Sequence, residues 1–134
     1  MTPPCILIVD DHLTNIELTR YVLEADGFQV DAVMNARQAL AHIRTAPPDL
    51  VLMDIQMPGV DGLDLTRRLK ADPATRPIVV VAFTAYAMKG DETRLRSAGC
   101  DGYLAKPIDV AVFARQVRAL LAAGVQPPWP GLPG

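Results

Sequence analysis

The sequence predicts a doubly wound α/β domain, a parallel five-stranded sheet with helices on both faces. Five short apolar runs of strand length alternate with five stretches of helical composition. Two of the runs, CILIV at 5–9 and LVLM at 50–53, are unbroken in apolar residues, as strands covered on both faces must be. Breakers fall between the segments, at Gly27, Pro47-Pro48, Asp72-Pro73, Gly99 and Gly124. Parallel strands need crossover connections, and those are right-handed.

Cys5 to Val9 forms the first strand and ends on Asp10 and Asp11. Thr14 or Asn15 can cap the first helix, which carries Leu13, Ile16 and Leu23 on one face and stops at Gly27. From Phe28 to Met34, apolar Phe28, Val30 and Ala32 alternate with Gln29 and Asp31, which suits a strand at the edge of the sheet. Asn35 caps a helix with Ala36, Ala39, Leu40 and Ile43 on its apolar face. The central strand, Leu50 to Met53, ends on Asp54, and Met57-Pro58-Gly59 then turns the chain. Leu63 to Lys70 is a short helix. Ile78 to Phe83 is the most strand-like run and stops at Thr84. Met88 to Ala98 is helical in composition, and Asp101 to Ala105 is a fifth strand ending on Lys106-Pro107. The last helix, Asp109 to Ala123, spaces Val110, Phe113, Val117, Leu120 and Leu121 at helical intervals.

Residues 1–124 are thus expected to form one domain, long enough for its own core. Residues 125–134, VQPPWPGLPG, cannot continue the helix and read either as a loose tail or as the start of a linker. Thirteen basic against fifteen acidic residues give a formal charge of -2, which favours neither nucleic acid nor an anionic membrane. The N-terminus lacks a basic region followed by an apolar one, and no apolar run approaches the roughly 18 residues of a membrane span, so a cytoplasmic protein is expected. Cys5 and Cys100 have no metal-ligand or disulfide spacing and read as small core residues.

In doubly wound sheets ligands bind outside the carboxyl ends of the strands. Asp10, Asp11, Asp54, Thr84 and Lys106 all stand at such ends. Three converging carboxylates repel one another unless a cation joins them, and magnesium, with its preference for oxygen ligands, suits such a set. Asp11 and Asp54 are the expected direct ligands, Asp10 acts through water, and the carbonyl of Gln56 adds a backbone oxygen; manganese could substitute. A remaining oxygen of Asp54 can then attack a phosphoryl group, because aspartate forms covalent phospho-intermediates. Such a transfer needs positioning and charge neutralisation more than covalent help. Lys106 supplies a point charge and the Thr84 hydroxyl a hydrogen bond to a phosphoryl oxygen. Taken singly, each residue could be an ordinary strand end; acid, acid, hydroxyl and ammonium closing four strands together point to a site.

With these residues assembled, the chain resembles the receiver domain of bacterial two-component response regulators, the CheY-like family. The resemblance runs from about Cys5 to Ala123 through VDD at 9–11, MDIQMPGVDG at 53–62, TA at 84–85 and KP at 106–107. It is strongest toward single-domain regulators of the DivK type and receivers of hybrid kinases, through TAYAMKGDETRLRSAGCDGYLAKP at 84–107. The resemblance implies a flavodoxin-like (βα)5 fold with strand order 2-1-3-4-5. It implies that Asp54 takes its phosphoryl group from a phosphohistidine on a sensor histidine kinase or a histidine phosphotransfer protein, with magnesium as cofactor. It makes Thr84 and Tyr103 the switch pair, and places Gln56 and Tyr86 where the family tunes the lifetime of the phosphorylated form. Neither of those two can activate water as an acid would, so slow self-dephosphorylation is expected. Output is expected through protein contact on the face of the fourth helix, fifth strand and fifth helix, by a monomer or weak dimer, without direct nucleic acid or membrane binding. His12 reads as a solvated loop residue that could perturb metal affinity.

Two other functions compete. A phosphatase with an aspartyl-phosphate intermediate would need a second acid two residues after Asp54, and that position is Gln56. A phosphate-independent interaction module would not need the complete site residues.

Overall fold

The computed structural model describes residues 3–55, 62–84 and 89–123. Ten elements alternate: β1 (Cys5–Val9), α1 (Leu13–Ala25), β2 (Gln29–Val33), α2 (Ala36–Thr45), β3 (Leu50–Asp54), α3 (Gly62–Ala71), β4 (Val79–Thr84), α4 (Lys89–Ala98), β5 (Gly102–Ala105) and α5 (Phe113–Ala123). All strand pairs are parallel, and the sheet order is β2-β1-β3-β4-β5. The expected doubly wound fold is the one formed.

Alternation along each strand divides the core into two layers. Ile6, Ile8, Leu50, Leu52, Val81, Phe83 and Leu104 pack with Ile16 and Leu23 of α1 and Phe113, Val117 and Leu120 of α5. Leu7, Val9, Val51, Met53 and Val80 face the other way, onto Ala39 and Ile43 of α2 and Leu65 and Leu69 of α3. A third group, Leu63, Ala82, Leu95, Ala98, Cys100 and Tyr103, fills the space between α3, α4 and the β4–β5 edge. β3 is buried at every position, whereas β2, at the sheet edge, is exposed at Gln29 and Asp31, fully buried only at Val30 and partly covered at Ala32 and Val33.

Several boundaries and packing assignments differ from expectation. α1 begins at Leu13, with His12 as an extended N-cap that makes no side-chain cap bond. Asp10 Oδ1 accepts the His12 N–H at 2.9 Å and the His12 carbonyl accepts from Ile16 at 3.1 Å, so Thr14 and Asn15 lie inside the first turn and cap nothing. Leu13 consequently turns outward and is 60% exposed. α5 begins at Phe113, four residues later than expected. The Asp109 side chain accepts from Ala111, and its carbonyl accepts from Val112 and Phe113, which makes a separate turn and leaves Val110 outside the core. Cys100 is buried, but Cys5 is only partly covered at the start of β1 and belongs to no core cluster. Asn35 does cap α2, accepting from Gln38 N at 2.9 Å. Met57-Pro58-Gly59, Met88 and the tail 125–134 lie outside the described residues.

Candidate functional site

Register determines what meets at the carboxyl edge of the sheet. Val9 pairs with Met53, so Asp10 and Asp54 each follow a matched pair. Asp54 pairs with Phe83, one residue before Thr84, and Thr84 pairs with Ala105, one residue before Lys106. The ladder continues past the strand ends, where Asp10 N donates to the Val33 carbonyl at 3.1 Å and Lys106 N to the Thr84 carbonyl at 2.9 Å. Residues up to 96 positions apart are thereby held at one rim by backbone hydrogen bonds.

Asp10 and Asp54 are each 1% exposed, although carboxylates are rarely buried without partners. Lys106 supplies one partner to both. Its Nζ lies 3.2 Å from Asp10 Oδ2 and 3.4 Å from Asp54 Oδ2. The same ammonium sits 5.0 Å from the centroid of the Phe83 ring, so an apolar wall backs the charge. The Lys106–Pro107 peptide is cis.

Asp10, Asp11, His12 and Asp54 each bring a ligand atom within 4.8 Å of the others, and among the described residues they are the one His, Cys, Asp and Glu group of that kind. Asp11 Oδ1 is buried and accepts no hydrogen bond, while His12 Nδ1 lies 2.9 Å away without hydrogen-bond alignment. A buried oxygen left in that condition beside two further carboxylates fits a divalent cation, which neutralises the set where further protein donors would not. The donor atoms, mostly carboxylate oxygens, are those a hard cation prefers.

Thr84 is buried at the end of β4. Tyr103 is 7% exposed, its backbone paired with Ala82 and its side chain grouped with Ala82, Leu63 and Leu95. Strand alternation sets Thr84, Ala82 and Tyr103 on one face of the sheet, two residues apart along adjoining strands. Gln56 and Tyr86 lie outside the described residues.

Gly62 was not foreseen as part of this arrangement. A Cβ there would stand 2.8 Å from the Asp54 carbonyl oxygen and 3.2 Å from Ile55 Cα, so only glycine lets the start of α3 approach the end of β3 this closely. The sequence carried a signal, since Gly62 closes the MDIQMPGVDG stretch, but no pattern within one sequence shows which backbone it meets. The sequence marks Asp101 only as the start of the fifth strand. It is buried, and its Oδ2 accepts from Lys70 Nζ at 2.7 Å and Val80 N at 2.8 Å. That ion pair ties α3 to β4 and β5 at the end of the sheet away from the rim.

Residues 6–118 match the model of the response regulator receiver domain. The chain belongs to the response regulator receiver family. The curated relatives of this receiver include the polar-differentiation response regulator DivK of Brucella anthropi, 44% identical over 119 residues that cover 89% of this chain and 97% of that one. Among solved structures, the receiver domain of a sensor histidine kinase from Pseudomonas aeruginosa, determined with a magnesium ion coordinated in its active-site cleft, superposes with a TM-score of 0.80 at 30% identity, covering 90% of this chain and 99% of that one. The receiver domain of a signal transduction histidine kinase from Syntrophus aciditrophicus gives 0.79 at 36% identity, covering 89% and 90%. The protein is a two-component signalling receiver, and no helix among its described residues is long and apolar enough to cross a membrane.

Proposed function

We propose that this receiver accepts a phosphoryl group on Asp54 from a phosphohistidine of a sensor histidine kinase or histidine phosphotransfer protein, and signals through the surface that changes as a result. The observation that carries the proposal is the burial of Asp54 at the rim with Lys106 Nζ 3.4 Å from one of its oxygens and Asp10 and Asp11 beside it. A carboxylate placed only for solubility would stand in water, and one placed only for stability would be paired without two further acids.

Asp54 provides the attacking oxygen. As its bond to phosphorus forms, the phosphorus–nitrogen bond of the donor breaks and the electron pair returns to the donor imidazole nitrogen, which takes up a proton from solvent. Lys106 holds its ammonium against Asp54 and is placed to follow the charge as it passes to the phosphoryl oxygens. The Thr84 hydroxyl is the group that would donate to a phosphoryl oxygen, with Tyr103 responding on the same face of the sheet. Magnesium, held by Asp11 and Asp54 directly, by Asp10 through water and by the carbonyl of Gln56, would offset the negative charge of the carboxylates and of the incoming phosphoryl group; manganese would serve in its place. Gln56 and Tyr86 offer no acid to activate water, so the phosphorylated form is long-lived. Output runs through the face of α4, β5 and α5, by protein contact from a cytoplasmic monomer or weak dimer, with residues 125–134 outside the domain of 1–124.

Incubation with acetyl phosphate and magnesium tests this reading. The wild-type chain gains one phosphoryl group, and Asp54→Asn gains none while keeping its circular dichroism spectrum. Wild-type protein that stays unlabelled would instead favour a phosphate-independent interaction module.

A further inference from the structure

His12 has no part in the reading above, yet it is built into the acidic cluster. Its backbone N–H is held by Asp10 Oδ1 at 2.9 Å, which fixes the residue as the N-cap of α1. Its side-chain Nδ1 lies 2.9 Å from Asp11 Oδ1 and 3.3 Å from Asp10 Oδ1. Two donors each about 2.1 Å from a common ion and at right angles around it stand about 3.0 Å apart, so the 2.9 Å between His12 Nδ1 and Asp11 Oδ1 is that of neighbouring corners of one coordination shell, while Asp10 keeps its place beyond a water. Asp10 divides its two oxygens accordingly, with Oδ2 toward Lys106 and Oδ1 toward His12. Asp11 Oδ1, buried and accepting no hydrogen bond, adds an oxygen to the same locus.

We propose that the His12 imidazole is a metal ligand of this site and gives it an affinity for borderline divalent ions, such as Co2+ and Ni2+, that its carboxylates alone would not provide. The inference rests on the cation site proposed for Asp10, Asp11 and Asp54. Carboxylate and water select magnesium and manganese, whereas imidazole nitrogen adds most for the later first-row ions. The receiver therefore carries a mixed-donor rim, at which a later transition-metal ion competes with magnesium for the same carboxylates. His42, the chain's other histidine, pairs with Asp31 at 3.3 Å and lies outside the cluster, so it serves as an internal control.

Calorimetric titration of the untagged 134-residue chain with Mg2+ and with Co2+, at one pH near 7.5, tests the proposal. His12→Asn lowers the ratio of Co2+ to Mg2+ affinity by about tenfold, whereas His42→Asn leaves that ratio within about twofold. In the Mn2+-loaded wild-type chain, pulsed electron paramagnetic resonance shows nitrogen modulation from a bound imidazole, and His12→Asn abolishes it. An unchanged ratio, or an equal loss of affinity for both ions, would overturn the proposal. If neither ion binds wild-type protein, the cation site itself fails. If Mg2+ binds and Asp11→Asn abolishes that binding while the His12 ratio stays constant, only the role of His12 fails.

Discussion

Lys106 sits between two acids that are each 1% exposed, and its loss leaves both without their ammonium. Removing one partner of a fully buried pair costs about 3–5 kcal/mol, and an exposed pair costs less than about 1. With Lys106 at 15% side-chain exposure, Lys106→Met is expected to destabilise the fold by about 1–3 kcal/mol in urea melts, and to slow acetyl phosphate labelling more than about tenfold. Cys100 makes a prediction of a different kind. Burial pushes its thiol up from 9.0 to about 11, with the neighbouring Asp101 adding to the shift and a hydrogen bond with Thr66 opposing it. The fold favours the neutral thiol, so stability that is fully present below pH 9 is lost as pH rises toward 11. That loss amounts to about 2–3 kcal/mol, and Cys100→Ala removes this part of the alkaline fall; a variant whose pH profile runs parallel to wild type would contradict the assignment.

At the scale of the elements, the site depends on how closely α3 meets the end of β3. Gly62→Ala puts a Cβ against the Asp54 carbonyl, and backbone cannot step aside as a flexible side chain can. The expected cost is about 1–3 kcal/mol in thermal or urea unfolding, together with slower labelling of Asp54, because the displaced atoms belong to the proposed acceptor residue itself. At the opposite end of the sheet, Lys70→Met leaves the Asp101 carboxylate buried without its cation, and with Lys70 at 14% side-chain exposure about 1–3 kcal/mol is lost. Acetyl phosphate labelling of the molecules that remain folded is unaffected, since that pair lies away from the rim. The elements also show where sequence is legible. Strand and helix order followed from apolar runs and breakers, and Asn35 was readable as a cap because its role is local. The starts of α1 and α5 were not, because Asp10 and Asp109 organise turns through their own side chains, ahead of the residues whose spacing suggested a helix. Gly62 acts on the backbone of Asp54 across the intervening loop and Asp101 on Lys70, 31 positions away, and no periodicity encodes those meetings.

For the whole molecule, the site was legible because a parallel sheet converts strand ends into neighbours. Asp10, Asp54 and Lys106 were named from where apolar runs stop, and the register brings them within ion-pair distance. The same sheet links rim to surface, since Thr84 and Tyr103 share a face that also packs Leu95 and Ala98 of α4. Moving a two-state receiver from 1:99 to 99:1 requires about 5.5 kcal/mol of differential stabilisation, a magnitude within reach of a new dianion facing an ammonium, a hydroxyl and a cation. Tyr103→Ala should therefore uncouple labelling from the change in amide exchange of α4 and β5. Chemical trapping tests the central claim most directly. Borohydride reduces an aspartyl phosphate to homoserine, so treatment of the phosphorylated chain followed by peptide mass mapping locates the acceptor. Homoserine at position 54 alone is the predicted result. Homoserine at position 10 or 11, or labelled protein with an unmodified position 54, would contradict the account.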